Sequence, residues 1–197
     1  MDAVIAYLGL GANLGEREIQ LARATHLLAE NPAVQIIRSS SMYQTAPVGF
    51  LEQPDFFNSV LEIETTLDPA PLLELTQSIE RLIGRQPGTR FGPRLIDIDI
   101  LLYGEQSINL KKPDLQIPHS RMHLRAFVLV PLAELAPGLI LPNFSASIVE
   151  LRDGVDGKEG VKFWGPPPPM KLMSVDLPIG TESFNCHCEG RRPEAIP

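Results

Sequence analysis

The sequence predicts an α+β domain of the ferredoxin-like type. The expected order is β-α-β-β-α-β, with a mainly antiparallel sheet and helices packed on it. Three observations predict it. Apolar residues alternate with period two over 56–66, fall at helical spacing over 14–28 and 72–82, and are cut between these runs by Gly, Pro and Asn. The 197-residue chain, 44% hydrophobic and 21% charged, is long enough for one core without disulfides or a structural metal.

Val4–Leu10 reads as the first strand, ending in a turn at Gly9-Leu10-Gly11-Ala12-Asn13. Asn13 and Glu16 have capping-box spacing for a helix that buries Leu14, Leu21, Ala24 and Leu28 and stops at Asn31-Pro32. Val34–Tyr43 is rich in β-formers and reads as one strand, and the Pro- and Gly-bearing stretch Thr45–Asp55 as a loop. Over Phe56–Thr66, Phe57, Ser59, Leu61 and Ile63 share one face and Phe56, Asn58, Val60 and Glu62 the other. Asp68-Pro69 starts a helix through Leu72, Leu75, Ile79 and Leu82, with Gly84 closing it. Leu95–Tyr103 is the next strand, and a last helix is expected from about Met122 to Leu135.

Residues 153–197 contain 7 of the 19 Pro and 6 of the 15 Gly. They read as a disordered appendage to a domain spanning 1–152. A chain stopped after Arg152 is therefore expected to keep its folding cooperativity and its activity. The Pro166–Pro169 run reads as a spacer, and Cys186-His187-Cys188 supplies too few well-spaced donors for a closed zinc site.

A net charge of −7 argues against nucleic-acid binding through an overall basic field and against docking on an anionic membrane. No basic-then-apolar leader opens the chain, and no apolar run nears the ~20 residues of a membrane helix. Both Cys lie at 186 and 188, which fits a reducing compartment, so a soluble cytoplasmic protein is expected.

The sharpest chemical feature is Arg90-Phe91-Gly92-Pro93-Arg94-Leu95-Ile96-Asp97-Ile98-Asp99-Ile100. On a strand, Asp97 and Asp99 share one face about 6–7 Å apart along the chain. Two carboxylates at this spacing suit Mg²⁺ that takes its other ligands from phosphate and water. An Asp-x-Asp alone is more often a solvated strand face. The flanking Arg residues are what a polyphosphate would need beside a metal. Pro118-His119 with Arg125 and Phe127 adds phosphate donors and a stacking ring, and Thr45 to Val48 with Phe56 and Asn58 offers an aromatic wall beside an amide.

These segments, with Leu8-Gly9-Leu10-Gly11-Ala12-Asn13-Leu14-Gly15, Gln53-Pro54-Asp55-Phe56-Phe57-Asn58 and Thr76-Gln77-Ser78-Ile79-Glu80, resemble the 6-hydroxymethyl-7,8-dihydropterin pyrophosphokinase family over residues 4–150. The resemblance implies transfer of diphosphate from ATP to the pterin hydroxymethyl group, leaving AMP, in folate biosynthesis. It implies that Asp97 and Asp99 ligate two Mg²⁺ and that Arg85, Arg94, His119 and Arg125 contact the ATP phosphates. It further implies that Gln77, Glu80 and Ile100 help hold the nucleotide, that Thr45, Val48 and Asn58 hydrogen-bond the pterin, and that Phe56 and Phe127 sandwich it. Phe56 stands where the family often has Tyr, Phe91 where it often has Trp, and Asp114 where a basic residue sometimes stands. Two alternatives use the same residues: a non-catalytic ligand-binding or regulatory module, and a hydrolase or other nucleotidyl enzyme with the same metals. The module leaves the Asp pair, Arg94 and His119 without a task.

Overall fold

The computed structural model describes residues 2–85, 92–141 and 144–169. The chain runs β1 (Val4–Ala12), α1 (Arg17–Ala29), β2 (Val34–Ser39), β3 (Met42–Thr45), β4 (Phe56–Thr65), α2 (Pro69–Ile83), β5 (Asp97–Tyr103), β6 (Ile108–Lys111), β7 (Asp114–Ile117), α3 (Ala126–Leu135), α4 (Ile148–Gly154) and β8 (Lys162–Gly165). The α+β class and the antiparallel sheet follow the expectation. The sheet order is β5-β1-β4-β3-β8, and β2 also pairs with β4.

Alternation builds the main core. Phe57, Leu61 and Ile63 of β4 and Ile96, Ile98 and Ile100 at β5 meet Leu21, Ala24 and Leu28 of α1 and Leu72, Ile79 and Ile83 of α2. The face of α2 is rotated from the expected one, since Leu82 is exposed while Thr76 and Glu80 are buried. Gly84, with φ +109°, closes α2 in the left-handed region that glycine adopts at little cost.

The opposite face carries a second core of Tyr7, Val60, Leu101 and Leu102 under Val128, Leu129 and Leu132 of α3 and Ile148 of α4. β5 serves both cores because its register against β1 shifts between Tyr7 and Leu8, leaving Leu101 as the extra residue of a bulge. The bulge re-aims the strand. Asp97 and Asp99 precede it on this face, and Leu101 and Leu102 both reach the second core.

Several expected elements change. The strand over Val34–Tyr43 is two strands that both pair with β4. Buried Ser40 lies between them, donating its N–H to Val60 O at 2.9 Å and accepting from Val60 N–H on its hydroxyl at 2.8 Å. The last helix is broken: a 3₁₀ turn covers Met122–Leu124, and Arg125 is extended (φ −120°, ψ 101°) before α3 begins. The stretch before Pro118 forms the β6–β7 hairpin, whose Leu115 and Ile117 are buried in the main core.

The appendage expected from residue 153 is corrected as far as the structure describes it. Ser147 caps α4 with a complete capping box to Glu150, and β8 pairs with β3. Trp164 lies on Phe57 with ring centroids 4.5 Å apart, and its indole N–H is bonded to Glu18. Phe163 meets Tyr43 edge-on at 6.2 Å. Gly and Pro in 153–169 shape a strap that is ordered by tertiary contacts rather than by a local period. The Cys186-His187-Cys188 cluster, Phe91 and Arg90 lie outside the described residues. Among the described residues no helix is long and apolar enough to cross a membrane.

Candidate active site

α3 covers only part of the second sheet face. The rest, over the end of β1 and the start of β5, is a cavity of about 810 Å³. Asp97 and Asp99 line it from β5, directly opposite Gly11 and Gly9 of β1. Cross-strand partners project to the same side, so the two glycines leave the carboxylates clear of neighbouring side chains. A Cβ on Gly11 would also come within 3.1 Å of Asn58 Oδ1.

Arginines and a histidine ring the carboxylates. Arg85 Nη1 is 3.0 Å from Asp97 Oδ1, and Arg94 contacts Asp97 Oδ2. Arg125 Nη1 is 3.5 Å from Asp99 Oδ2, and His119 Nε2 is 4.0 Å from the same oxygen. Burial, and then the neighbouring charge of Asp97, raises Asp99 above the ordinary carboxylate value. Burial lowers His119 below the ordinary imidazole value despite the charge of Asp99. The broken helix matters here: extended backbone at Arg125 turns its guanidinium toward β5 and sets it 5.5 Å from the ring of Phe127.

The other end of the cavity is aromatic and amide-lined. Phe56, Asn58, Thr45, Val48 and Phe127 all border it. Asn58 and Thr45 are buried, and Asn58 Nδ2 donates to Thr45 Oγ1 at 2.8 Å. This pair is held in place before any ligand arrives. Ten of the residues singled out from the sequence thus face one space: Thr45, Val48, Phe56, Asn58, Arg94, Asp97, Asp99, His119, Arg125 and Phe127.

Arg85, Gln77, Glu80, Ile100 and Asp114 do not line it. Gln77 is exposed on α2, and Ile100 has its side chain in the main core. Glu80 is 4% exposed, accepts the Ile98 N–H at 2.8 Å and is ion-paired with Arg85. β5 is the sheet edge, so this carboxylate satisfies an outward N–H that no strand pairs. Burial raises Glu80, while the Ile98 N–H and Arg85 oppose that shift. Through Arg85, Glu80 bears on Asp97 from beneath the strand. Asp114 lies in the β6–β7 hairpin and does not border the cavity.

Sequence reasoning missed a wall. Asp156, Gly157, Gly160 and Val161, from the segment between α4 and β8, close one side of the cavity. Two glycines and no apolar period leave no local signal for this role.

The donor set itself has a definite chemistry. Two carboxylates beside open space, with no third His, Cys, Asp or Glu to complete a cluster among the described residues, suit a hard divalent ion that shares its coordination with a ligand's oxygens.

Residues 7–137 match the family described as 7,8-dihydro-6-hydroxymethylpterin-pyrophosphokinase. A Bacillus subtilis protein named 2-amino-4-hydroxy-6-hydroxymethyldihydropteridine pyrophosphokinase is 43% identical over 160 residues, 81% of this chain and 90% of its own. A protein of the same name from Pseudomonas aeruginosa is 44% identical over 137 residues, 70% of this chain and 83% of its own. A crystal structure of wild-type Plasmodium falciparum HPPK-DHPS with pterin and p-hydroxybenzoate superposes with a TM-score of 0.62 at 20% identity, over 77% of this chain and 43% of that one, a likeness of fold.

Proposed function

The chain belongs to the 7,8-dihydro-6-hydroxymethylpterin-pyrophosphokinase family and transfers diphosphate from ATP to the hydroxymethyl group of 6-hydroxymethyl-7,8-dihydropterin in folate biosynthesis, and we propose that the cavity over β1 and β5 is where it does so. One observation carries this reading. An acidic pair ringed by Arg85, Arg94, His119 and Arg125 shares one cavity with an aromatic, amide-lined end. A polyphosphate fits the first end and a flat heterocycle the second.

The hydroxymethyl oxygen attacks the β-phosphorus of ATP, and the bond from that phosphorus to the oxygen bridging to the α-phosphorus breaks. The diphosphate passes to the pterin, AMP leaves, and the hydroxyl proton is released. Asp97 and Asp99 would hold two Mg²⁺, which supply charge neutralisation to the phosphates when bound. The chain's own contribution is alignment and electrostatics. Arg94 and Arg125 lie on either side of the acidic pair, placed to take phosphate oxygens as charge moves toward the leaving AMP. His119, whose Nε2 lies beside Asp99, is within reach of the same oxygens. Arg85 sits one step back, holding Asp97 against Glu80. Phe56 and Phe127 would stack on the pterin while Asn58, Thr45 and the backbone near Val48 meet its polar edge. Phe at 56 keeps a stacking face without a hydroxyl.

The identity of the products tests the reaction. ATP with the hydroxymethyl pterin should yield AMP and the pterin diphosphate in equal amounts. ADP with inorganic phosphate would instead indicate hydrolysis, and no turnover would indicate a binding module. The pterin end has its own test. Phe127→Ala should weaken pterin binding about tenfold, the scale of a lost aromatic contact, and leave ATP binding within about twofold. An equal loss for both ligands in titrations would make Phe127 part of the α3 core instead.

A further inference from the structure

Glu134 projects from α3, and three donors at the start of β3 meet its carboxylate. The Ser41 N–H lies 3.1 and 3.0 Å from Oε1 and Oε2, the Ser41 hydroxyl donates to Oε1 at 2.9 Å, and the Tyr43 hydroxyl donates to Oε2 at 3.0 Å. Burial, then the hydrogen bond to Glu134 and its charge, push the Tyr43 phenol up to about 12, so it stays a donor across the neutral range. Ser41, Tyr43 and Glu134 do not border the cavity, so they meet no ligand there.

Tyr43 and Glu134 each stand one step behind residues that do border it. Along β3, Tyr43 and Thr45 share a face, and Thr45 lines the cavity. Across to β4, Tyr43 is the register partner of Asn58, and Thr45 that of Phe56. On its other side the Tyr43 ring meets Phe163 edge-on at 6.2 Å. Along α3, Glu134 follows Phe127 by two helical turns, about 10.5 Å, so both lie on one helix face.

Apolar packing leaves the lateral position of α3 loosely specified. Val128, Leu129 and Leu132 hold the helix on Tyr7 and Val60 by burial, which has no preferred direction. Hydrogen bonds are directional, and those to an ionised acceptor are the strong kind. The Glu134 contacts therefore decide where α3 lies relative to β3, and with it the gap between Phe127 and the Phe56–Thr45 side of the cavity.

We propose that Glu134 is a positioning residue for the pterin: through Ser41 and Tyr43 it braces α3 against β3 and sets the width of the slot between Phe127 and Phe56. This rests on the reading that the flat ring binds between those two side chains. The groups placed for phosphate lie on β5 and, ahead of α3, at His119 and Arg125, so they depend less on the brace.

Steady-state kinetics of the full chain, with ATP and the hydroxymethyl pterin each varied in turn, make the test. Glu134→Ala removes all the acceptors from an exposed position and should raise the KM for pterin about fivefold, the scale of one net hydrogen bond, with kcat and the KM for ATP within about twofold. Tyr43→Phe keeps the ring against Phe163, removes a single bond and should raise the pterin KM about threefold, whether or not Glu134→Ala folds. Glu134→Gln keeps an oxygen for Ser41 and offers an N–H to the Tyr43 oxygen, so it should return the pterin KM to within about twofold of the unaltered chain. An unchanged pterin KM in the Ala and Phe variants, an equal rise for both substrates, or a Gln variant as impaired as the Ala variant overturns the proposal. Failure of Phe127→Ala to weaken pterin binding overturns the stacking reading instead, so the two failures are distinct.

Discussion

Asp97→Asn and Asp99→Asn are each expected to lower turnover about 10²–10³-fold while the chain stays folded. Either change keeps side-chain shape and removes one charge. If both acids hold Mg²⁺ against the phosphates, each loss removes a preorganised electrostatic contact of about 3–4 kcal/mol in the transition state. The double variant should fall well short of the product of the single effects, because both acids serve one cluster. Pterin binding measured alone should change least. The two positions should also differ in stability. Asp97 is engaged by Arg85 and Arg94, so its neutralisation loosens a network that includes buried Glu80. Asp99 is disfavoured as an anion by burial and by Asp97, so its neutralisation relieves repulsion and should be neutral or mildly stabilising. Steady-state kinetics with denaturant unfolding of both variants checks this. Turnover within threefold of the unaltered chain in both would make the pair an ordinary strand face.

Ending the chain after Arg152 is expected to cost both stability and activity. The truncation removes β8, the stacking of Trp164 on Phe57 and the edge contact of Phe163 with Tyr43. Two ring contacts of about 0.5–1.5 kcal/mol each, with lost ladder hydrogen bonds of similar size, bring the expected loss to about 2–4 kcal/mol. It also removes Asp156, Gly157, Gly160 and Val161 from the cavity wall, so the KM for pterin should rise more than that for ATP. A chain ending after Pro169 keeps every contact described above and is the proper reference. Unfolding midpoints and kinetics of the two truncations compared side by side make the test. Equal stability and equal pterin KM would return the segment after 152 to the status of an appendage.

Much of the site was legible because its residues sit on elements with a strict period. On a strand, Asp97 and Asp99 must share a face, as must Phe56 and Asn58, so the alternation that builds the main core also aims these four side chains away from it. Gly9 and Gly11 lie opposite the acids for the same reason, although in the sequence they read only as a turn. Glu80 entered only through the family resemblance, as a nucleotide contact, and not as the acceptor for the outward N–H of an edge strand, which depends on strand order.

The sequence by itself determined the α+β class, the main core, the acidic pair with its arginines, and the family, since each depends on local period or on a short contiguous motif. Tertiary structure alone decided the rest. Asn13 left the helix start because its carboxamide satisfies three partners from segments 40 and 81 residues away, and a cap would satisfy one. Arg125 broke the last helix at the point where its side chain meets Asp99. Residues 153–165 became a strap and a cavity wall although their composition is that of a loose tail. An edge strand and a Gly-bearing turn take their order from the surfaces they lie on, and those surfaces exist only once β3, β4 and α3 have packed.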